Sequence, residues 1–435
     1  MGSSSSYWNL ANPQDGSDFI VESANSYIVN APGYYRIPLV VGNGVKNGIP
    51  NSIAYGADNF LDCRGGSITS PYLHKTSTGA LDKSPSKAFI VWEEQKSIDV
   101  QNETDWVLAN DAGVTNGISS TGDGDSRVYW LNFHISRENI RQGSAVIAVS
   151  DNTSDNTILW SWYIWITDYV PGNYPGGGTA DVDVYPYPDP DYTPQKGFYT
   201  MMARDLGWFQ NKVVRKTYEE AFVYVRLEQT APGGKSYIMK VTRPEMVLGN
   251  PSGHAPYYQF GRKDPFHPNN GYNSPTQLVC YGKHATIAAQ SADEIPLLSY
   301  SNIPESISSP YVLFTSTGDN GDWCRGTNGA GKLNWWSAGN SLTSINAGPV
   351  VKTIYDPCPA GYHVPESAAF TGFVKGGKPT AVTSYSPTDC NTVGTFENGW
   401  RFYSNGPGSP TIYFSNLGIR KKGFLRRNHS AANKL

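Results

Sequence analysis

Apolar positions along this chain recur with a period of two, in short runs cut by glycine and proline. Residues 19–21, 26–29, 34–37 and 39–41 form the first runs, and 88–92, 128–135 and 144–149 continue them. Successive side chains of a strand point to opposite faces, so this spacing predicts strands rather than helices. Within 128–135 it puts Tyr129, Leu131, Phe133 and Ile135 on one face and Val128, Trp130 and Asn132 on the other. Residues 157–167 (Thr-Ile-Leu-Trp-Ser-Trp-Tyr-Ile-Trp-Ile-Thr) are apolar on both faces yet too short to cross a bilayer. They predict a strand covered on both sides, whose indole N–H groups need acceptors. Several strands with turn signals at close spacing predict an antiparallel β-sandwich.

The pattern changes over 168–197, where Pro, Gly and Asp dominate and a long surface loop or linker is expected. Its acids Asp181, Asp183, Asp189 and Asp191 lack the glycine and distal glutamate of a calcium loop, which favours a solvated loop over a cation site. Residues 221–229 and 235–243 then alternate around Pro232-Gly233-Gly234, a hairpin signal. Two strands alone cannot bury a core, so they are expected to complete the same sandwich. From about residue 250 the segments become short, irregular and rich in Gly, Asn and Trp. The expected organisation is a flexible leader over 1–18, a sandwich over 19–249, a loop-rich domain over 250–420 and an atypical basic tail over 421–435.

Composition sharpens this picture in few places. A 435-residue chain with 45 Gly, 30 Pro and 16% charged residues fits strands and turns, not a helical bundle. A net charge of −3 gives no electrostatic case for nucleic acid or an anionic membrane. No run of eighteen apolar residues is present, so no transmembrane segment is expected. Met-Gly-Ser-Ser-Ser-Ser at the start lacks the apolar stretch of a secretion signal. Gly2 and Ser6 formally match a myristoylation pattern, but the segment reads as a leader replacing a removed signal. Cys63, Cys280, Cys324, Cys358 and Cys390 show no Cys-x-x-Cys and no zinc spacing. One disulfide among the last four stays open, while buried thiols acting as small apolar groups are favoured.

Residues 351–373 are the most distinctive block. An apolar run meets Asp356-Pro357-Cys358-Pro359, where two prolines fix φ and remove two backbone donors. Gly361 permits a sharp turn, and Pro365-Glu366-Ser367 opens a short helix-like stretch with Phe370 and Phe373 on one face. This block resembles the signature of the Fibrobacter succinogenes major paralogous domain, a C-type-lectin-like domain of Bacteroidota surface proteins that often ends fimbrial tip proteins. Residues 256–265 are similar to that family's opening strand and turn, and 303–314 to its next segment. Asp322-Trp323 and Asn334-Trp335-Trp336 follow in the family's order. Upstream, 139–149 and 159–168 are similar to the sandwich region of Bacteroidales fimbrillin-like proteins.

The resemblance covers most of residues 20–420. It implies a mainly β chain, an antiparallel sandwich followed by a loop-rich C-type-lectin-like α+β domain. It also implies an extracellular, fimbrial or outer-membrane location and other fimbrial subunits as partners. Arg262, Asp264, Asp356, Pro357, Cys358, Pro359, Gly361 and Pro365 are the structural motif residues it carries. The chain departs from the family at its end. Residues 411–419 begin the closing passage, and 420–435 then hold six basic residues and no acids. A truncated or shortened variant is expected, with a sheet edge exposed and its capacity to donate a strand unproven.

Candidate chemistry is sparse. The seven histidines fall in no His-Glu-x-x-His spacing, and no Gly-x-Ser-x-Gly elbow or Walker loop occurs. No enzyme, cofactor or metal is therefore expected. The Glu-Pro-Asn, Gln-Pro-Asp and Trp-Asn-Asp motifs of calcium-dependent lectins are missing, which argues against calcium-dependent sugar binding. Trp323, Trp335, Trp336, Trp400, Phe402 and Tyr403 sit in Gly/Asn-rich contexts, where flat rings can stack on sugars. The expectation is an adhesin for a host or bacterial surface glycan or protein. A structural pilus or envelope subunit and a retroelement-diversified hypervariable receptor are the alternatives.

Overall fold

The structure, a computed structural model, describes residues 2–56, 60–74, 85–93, 98, 113–123, 126–151, 157–174, 178–187, 197–218, 220–243, 246–266, 279–280, 297–299, 303–315, 334–338, 349–377, 388–394, 399–415, 419–421 and 424–426. The fold is mainly β with few helices. In the first part, β1 is Trp8–Asn9, β2 Ser26–Val29, β3 Gly33–Pro38, β4 Val45–Lys46 and β5 Ile49–Pro50. These are followed by β6 Lys87–Glu93, β7 Ile118–Thr121, β8 Val128–Ile135, β9 Gly143–Ser150 and β10 Ile158–Ile166.

Two sheets form a sandwich-like pair. One has the order β1-β3-β8-β7; the other runs β6-β9-β10-β2 and is extended beyond β6 by Val279–Cys280. The pairings are antiparallel except at two edges, where β1 lies parallel to β3 and β2 parallel to β10. Between the sheets lie Ile37, Leu131, Phe133 and Ile135 on one side and Ala145, Ile147, Trp160, Trp162 and Ile164 on the other, all buried. The period-two reading of 128–135 therefore holds for its aliphatic face. Asn132 on the other face is buried as well, because its amide reaches the Gly117 and Trp130 carbonyls and the Ser119 hydroxyl.

All nine residues of β10 are buried, as the doubly apolar run required. Each indole finds its acceptor. Trp160 donates to Asn25 Oδ1 (3.1 Å), Trp162 to the Val40 carbonyl (3.3 Å) and Trp165 to the Trp208 carbonyl (2.7 Å). The reason β10 is covered twice is a second core. Val146, Ala148, Tyr163 and Trp165 pack with Val182, Val184, Cys358, Tyr362, Phe373, Phe402 and Ile412. The larger sheet is thus a middle layer, and Cys358, Tyr362, Phe373, Val374, Cys390, Phe402 and Ile412 of the C-terminal segments share its core. Cys63, Cys358 and Cys390 are buried.

Two segments differ from their expected roles. Residues 7–12 do not behave as a leader: β1 joins the sheet, and Tyr7, Asn9, Leu10, Ala11 and Asn12 are buried. The cause is polar. Asn9 donates to the Ser17 and Phe19 carbonyls and accepts from the Ala11 N–H, and a hydrophobic pattern is blind to such bonds. The Pro/Gly/Asp-rich region 168–197 includes β11 Val182–Val184, which pairs antiparallel with β12 Tyr199–Met201 just beyond it. It is fastened to the C-terminal segments: Tyr185 N–H donates to the Ser404 carbonyl, Tyr187 N–H to Thr371 Oγ1, and Tyr199 Oη to Glu366 Oε2 (2.6 Å).

Next come β13 Phe209–Tyr218, β14 Ala221–Glu228, β15 Ser236–Arg243 and β16 Met246–His254. The predicted hairpin forms, and among the described residues β14 pairs only with β15 and β13 only with β16. They do not complete the sandwich. Every residue of β14 and β15 is exposed. The remaining elements are short: β17 Tyr257–Tyr258, β18 Pro265–Phe266, β19 Val279–Cys280, β20 Leu297–Ser299, helix α1 Ile303–Ser308 and β21 Leu313–Thr315. They end with β22 Thr392–Val393, β23 Gly399–Tyr403, β24 Thr411–Ser415, β25 Ile419–Lys421 and β26 Phe424–Arg426.

Candidate functional site

The 351–373 block is a clamp on the middle sheet. Asp356 carries it: Oδ1 accepts from the Cys358 N–H (2.7 Å) and Oδ2 from the Val364 N–H (2.8 Å). One carboxylate thus closes the turn that the two prolines, lacking donors, cannot close themselves. Asn25 Nδ2 donates to the Ile354 and Asp356 carbonyls (2.6 and 2.8 Å), and Ser26 Oγ to the Pro357 carbonyl. Lys352 Nζ donates to the Cys358, Pro359 and Tyr362 carbonyls, which uses all three of its N–H groups. Gly361 sits at φ +80°, where a side chain would be strained and would also crowd the Asn173 carbonyl. Pro365 then leads into a 3-10 helix, Ser367–Phe373. Its i, i+3 spacing puts Phe370 and Phe373 side by side, with ring centroids 6.2 Å apart.

Arg262, Lys263 and Asp264 form a second buried junction. The Arg262 guanidinium lies 5.0 Å from the rings of both Phe266 and Phe314 and donates to the Ser306, Pro310 and Val312 carbonyls, which ties in α1. Lys263 Nζ donates to Asp264 Oδ1 (2.7 Å), Ser161 Oγ (2.6 Å) and the Ser161 carbonyl (3.0 Å). Burial pulls the Lys263 ammonium down to about 8, against the pull of Asp264. Both clusters are enclosed, and their geometry serves cohesion.

The aromatic candidates divide. Trp335 packs against Phe60 and Tyr355, and Trp336 against Phe260 with its indole N–H on the Arg262 carbonyl (2.9 Å); both are buried. Trp323 lies outside the described residues. Trp400, Phe402 and Tyr403 share β23, which pairs with β24. Alternation turns Phe402 into the second core and leaves Trp400 at its border, both half of the strand's inner face. Arg401 and Tyr403 point the other way and are half-buried.

That outer face gathers residues which sequence reasoning missed. Arg401 stands opposite Tyr413, its guanidinium 5.3 Å from the tyrosine ring. The turn after β12 brings Arg204 to the same ring (5.7 Å) and to the indole of Trp208 (5.1 Å). Gly207 makes the turn, at φ +82°, where a Cβ would collide with Pro256 and the Tyr163 hydroxyl. Asp205 accepts from the Ser415 N–H (3.3 Å) and hydroxyl (3.2 Å), which fastens the turn to β24. Burial pushes the Asp205 carboxyl up to about 7 against those two bonds, and burial together with Arg401 pulls Arg204 below the usual arginine value.

The result is a partly open surface of two guanidiniums, an indole and the Tyr403 phenol around the buried ring of Tyr413, beside a titrating carboxyl. Such a set can stack on a flat ring and donate to oxygen acceptors. The one local sequence signal is Arg204-Asp205-Leu206-Gly207-Trp208, with the turn glycine inside it. It has no recognisable spacing without the fold that brings β24 beside it. No family model matches the chain, and no curated protein or solved structure is significantly similar to it. The fimbrial resemblance rests on the residues quoted for it.

Proposed function

We propose that this chain is a non-enzymatic cell-surface or fimbrial tip adhesin that binds a glycan or protein ligand through its C-terminal region. The observation that carries the reading is the partly exposed arginine–aromatic face of Arg204, Trp208, Arg401 and Tyr403, gathered around the buried ring of Tyr413 on β24. Stacked guanidiniums and rings recognise sugar faces and side chains without bond making. The 351–373 block supports the same reading through its resemblance to domains that end surface proteins.

The test is binding of the full chain to a broad array of glycans and matrix proteins, with and without EDTA. Point variants are the right comparison, because a fragment ending near residue 250 lacks a third of the second core. Binding that Arg401→Ala abolishes, at unchanged stability, supports the proposal. Silence of the full chain on the array returns the reading to a structural pilus or envelope subunit.

A further inference from the structure

One cross-strand row on the outer face of β23 and β24 sets two arginines around a single ring. Arg401 of β23 pairs in register with Tyr413 of β24, and on its other side Tyr413 pairs with Arg204 through an isolated bridge. Paired residues of neighbouring strands point to the same face of a sheet, and two strand spacings put the arginine Cα atoms about 10 Å apart. The guanidinium carbons of Arg204 and Arg401 lie 5.7 and 5.3 Å from the centre of the Tyr413 ring. The ring is buried and forms the floor of the row, while both arginines are half-buried and keep an open side.

The row is rich in donors and holds no anion. Among the described residues neither guanidinium makes an ion pair. Arg204 spends one N–H on the Ala203 carbonyl (3.0 Å), and Trp208 Nε1 beside it has no acceptor among the described residues. The Asp205 carboxyl, next along the chain, is turned to Ser415, accepting from its N–H and hydroxyl at 3.3 and 3.2 Å. Arginine keeps its proton under ordinary conditions, so the two charges repel. Burial, and then the charge of Arg401, pull Arg204 below the usual arginine value. A bound anion offsets that repulsion and takes charge-assisted bonds from both guanidiniums.

We propose that this row is the anion subsite of the ligand face, an inference that rests on the adhesin reading, and that its ligand is an acidic glycan whose carboxylate or sulfate sits over Tyr413 between Arg204 and Arg401. Flat surfaces favour a sugar over an acidic peptide. Tyr403 stands two residues beyond Arg401 on the same face, and the Trp208 indole lies 5.1 Å from the Arg204 guanidinium; both are partly exposed. In a uronic acid or a sulfated sugar the anion is carried by the ring itself, so one residue meets guanidinium and aromatic face together. An aspartate or glutamate side chain brings the anion without a ring.

Titration calorimetry of the full chain tests this with oligogalacturonate, which carries carboxylates, and a carrageenan oligosaccharide, which carries sulfates. Their neutral counterparts are the methyl ester and the desulfated oligosaccharide. Binding of either acid is the expected result, and which one binds tells carboxylate from sulfate. Affinity should fall at least about tenfold for the neutral counterpart and for Arg401→Gln, and stay unchanged in Arg226→Gln, which removes the same charge from β14. Near-UV circular dichroism of the buried tryptophans confirms that each variant is folded. In the wild-type chain, phenylglyoxal should label Arg401, and the bound oligosaccharide should block the labelling. Labelling that saturating oligosaccharide leaves unchanged overturns the proposal, as does affinity kept by the neutral counterpart. Tighter binding of polyglutamate than of either oligosaccharide overturns it in favour of an acidic protein. An array ligand that is neutral yet depends on Arg401 sinks this inference and leaves the adhesin reading standing. Absence of binding to every probe and every array ligand sinks both.

Discussion

Lys263 Nζ and Asp264 Oδ1 lie 2.7 Å apart with both side chains closed to solvent, under the ring of Trp160 and against Ser161 of β10. Neighbours in sequence, they act together as one plug that joins the opening turn of the C-terminal region to the middle sheet. Removing one partner leaves the other buried and unpaired. Lys263→Met is expected to cost about 3–5 kcal/mol in urea unfolding, and Lys263→Met/Asp264→Leu to recover most of it. An equal loss in both would show that packing, not charge, holds the junction.

The same pair predicts a pH effect. Lys263 titrates near 8 in the fold, against an ordinary value of 10.5. Between these values the unfolded chain holds a proton that the fold has released, so this group makes stability rise with pH across the window. Below pH 8 the cost of the buried ammonium is fully present. The wild-type urea midpoint should climb relative to Lys263→Met from pH 8 towards 10.5. A constant difference would contradict the assignment.

Asp205 carries the opposite sign. Its carboxyl is held protonated up to about 7, against 3.8 when unfolded. The fold therefore keeps the extra proton between those values. The stabilisation is complete below 3.8 and is lost as pH rises through 7. Asp205→Asn should flatten the unfolding midpoint between pH 4 and 8 relative to wild type. If the two curves stay parallel, the carboxyl is ordinary.

Asp356 closes its turn with two charge-assisted bonds to backbone N–H groups. Asp356→Ala is expected to lose about 3 kcal/mol, since each orphaned donor costs on the order of 1–3 kcal/mol. Asp356→Asn keeps one acceptor and should lose about half as much. Thermal unfolding of the two variants side by side decides it.

On β23 adjacent residues should behave differently. Phe402→Ala empties part of the second core and is expected to cost about 3–5 kcal/mol. Arg401→Ala and Tyr403→Ala should leave stability within about 0.5 kcal/mol, because both are half-buried on the outer face. Under the proposed function these two lower affinity for array ligands at least tenfold, a loss of about 1.4 kcal/mol.

Strand identity was legible wherever burial was one-sided or complete over a run. The tryptophans of β10 and the aliphatic face of β8 could be assigned to a core because a period of two, or an unbroken apolar run, has few other uses. The turn at 356–361 was legible from its prolines and glycine, whose backbone limits are local. Asp356 was legible as part of that motif, but not as the acceptor that closes it. Asn9, Asp181 and Asp205 were not legible at all. Each is polar and unremarkable in its own window, yet Asp181 accepts from the Gly172 and Asn173 N–H groups and from Tyr362 Oη, 181 residues away.

The sequence by itself thus determined that the chain is mainly β, where its central strands run and where its sharpest turn lies, because φ limits and side-chain alternation act within a few residues. Tertiary structure alone decided that residues 7–12 enter a sheet, that the C-terminal segments roof the middle sheet, that Arg204, Trp208 and Arg401 meet around Tyr413, and that β14 and β15 stand apart with an apolar face uncovered. Those outcomes depend on which surfaces meet across long separations. β9 is buried throughout and β14 exposed throughout, because the rest of the chain covers the first and not the second.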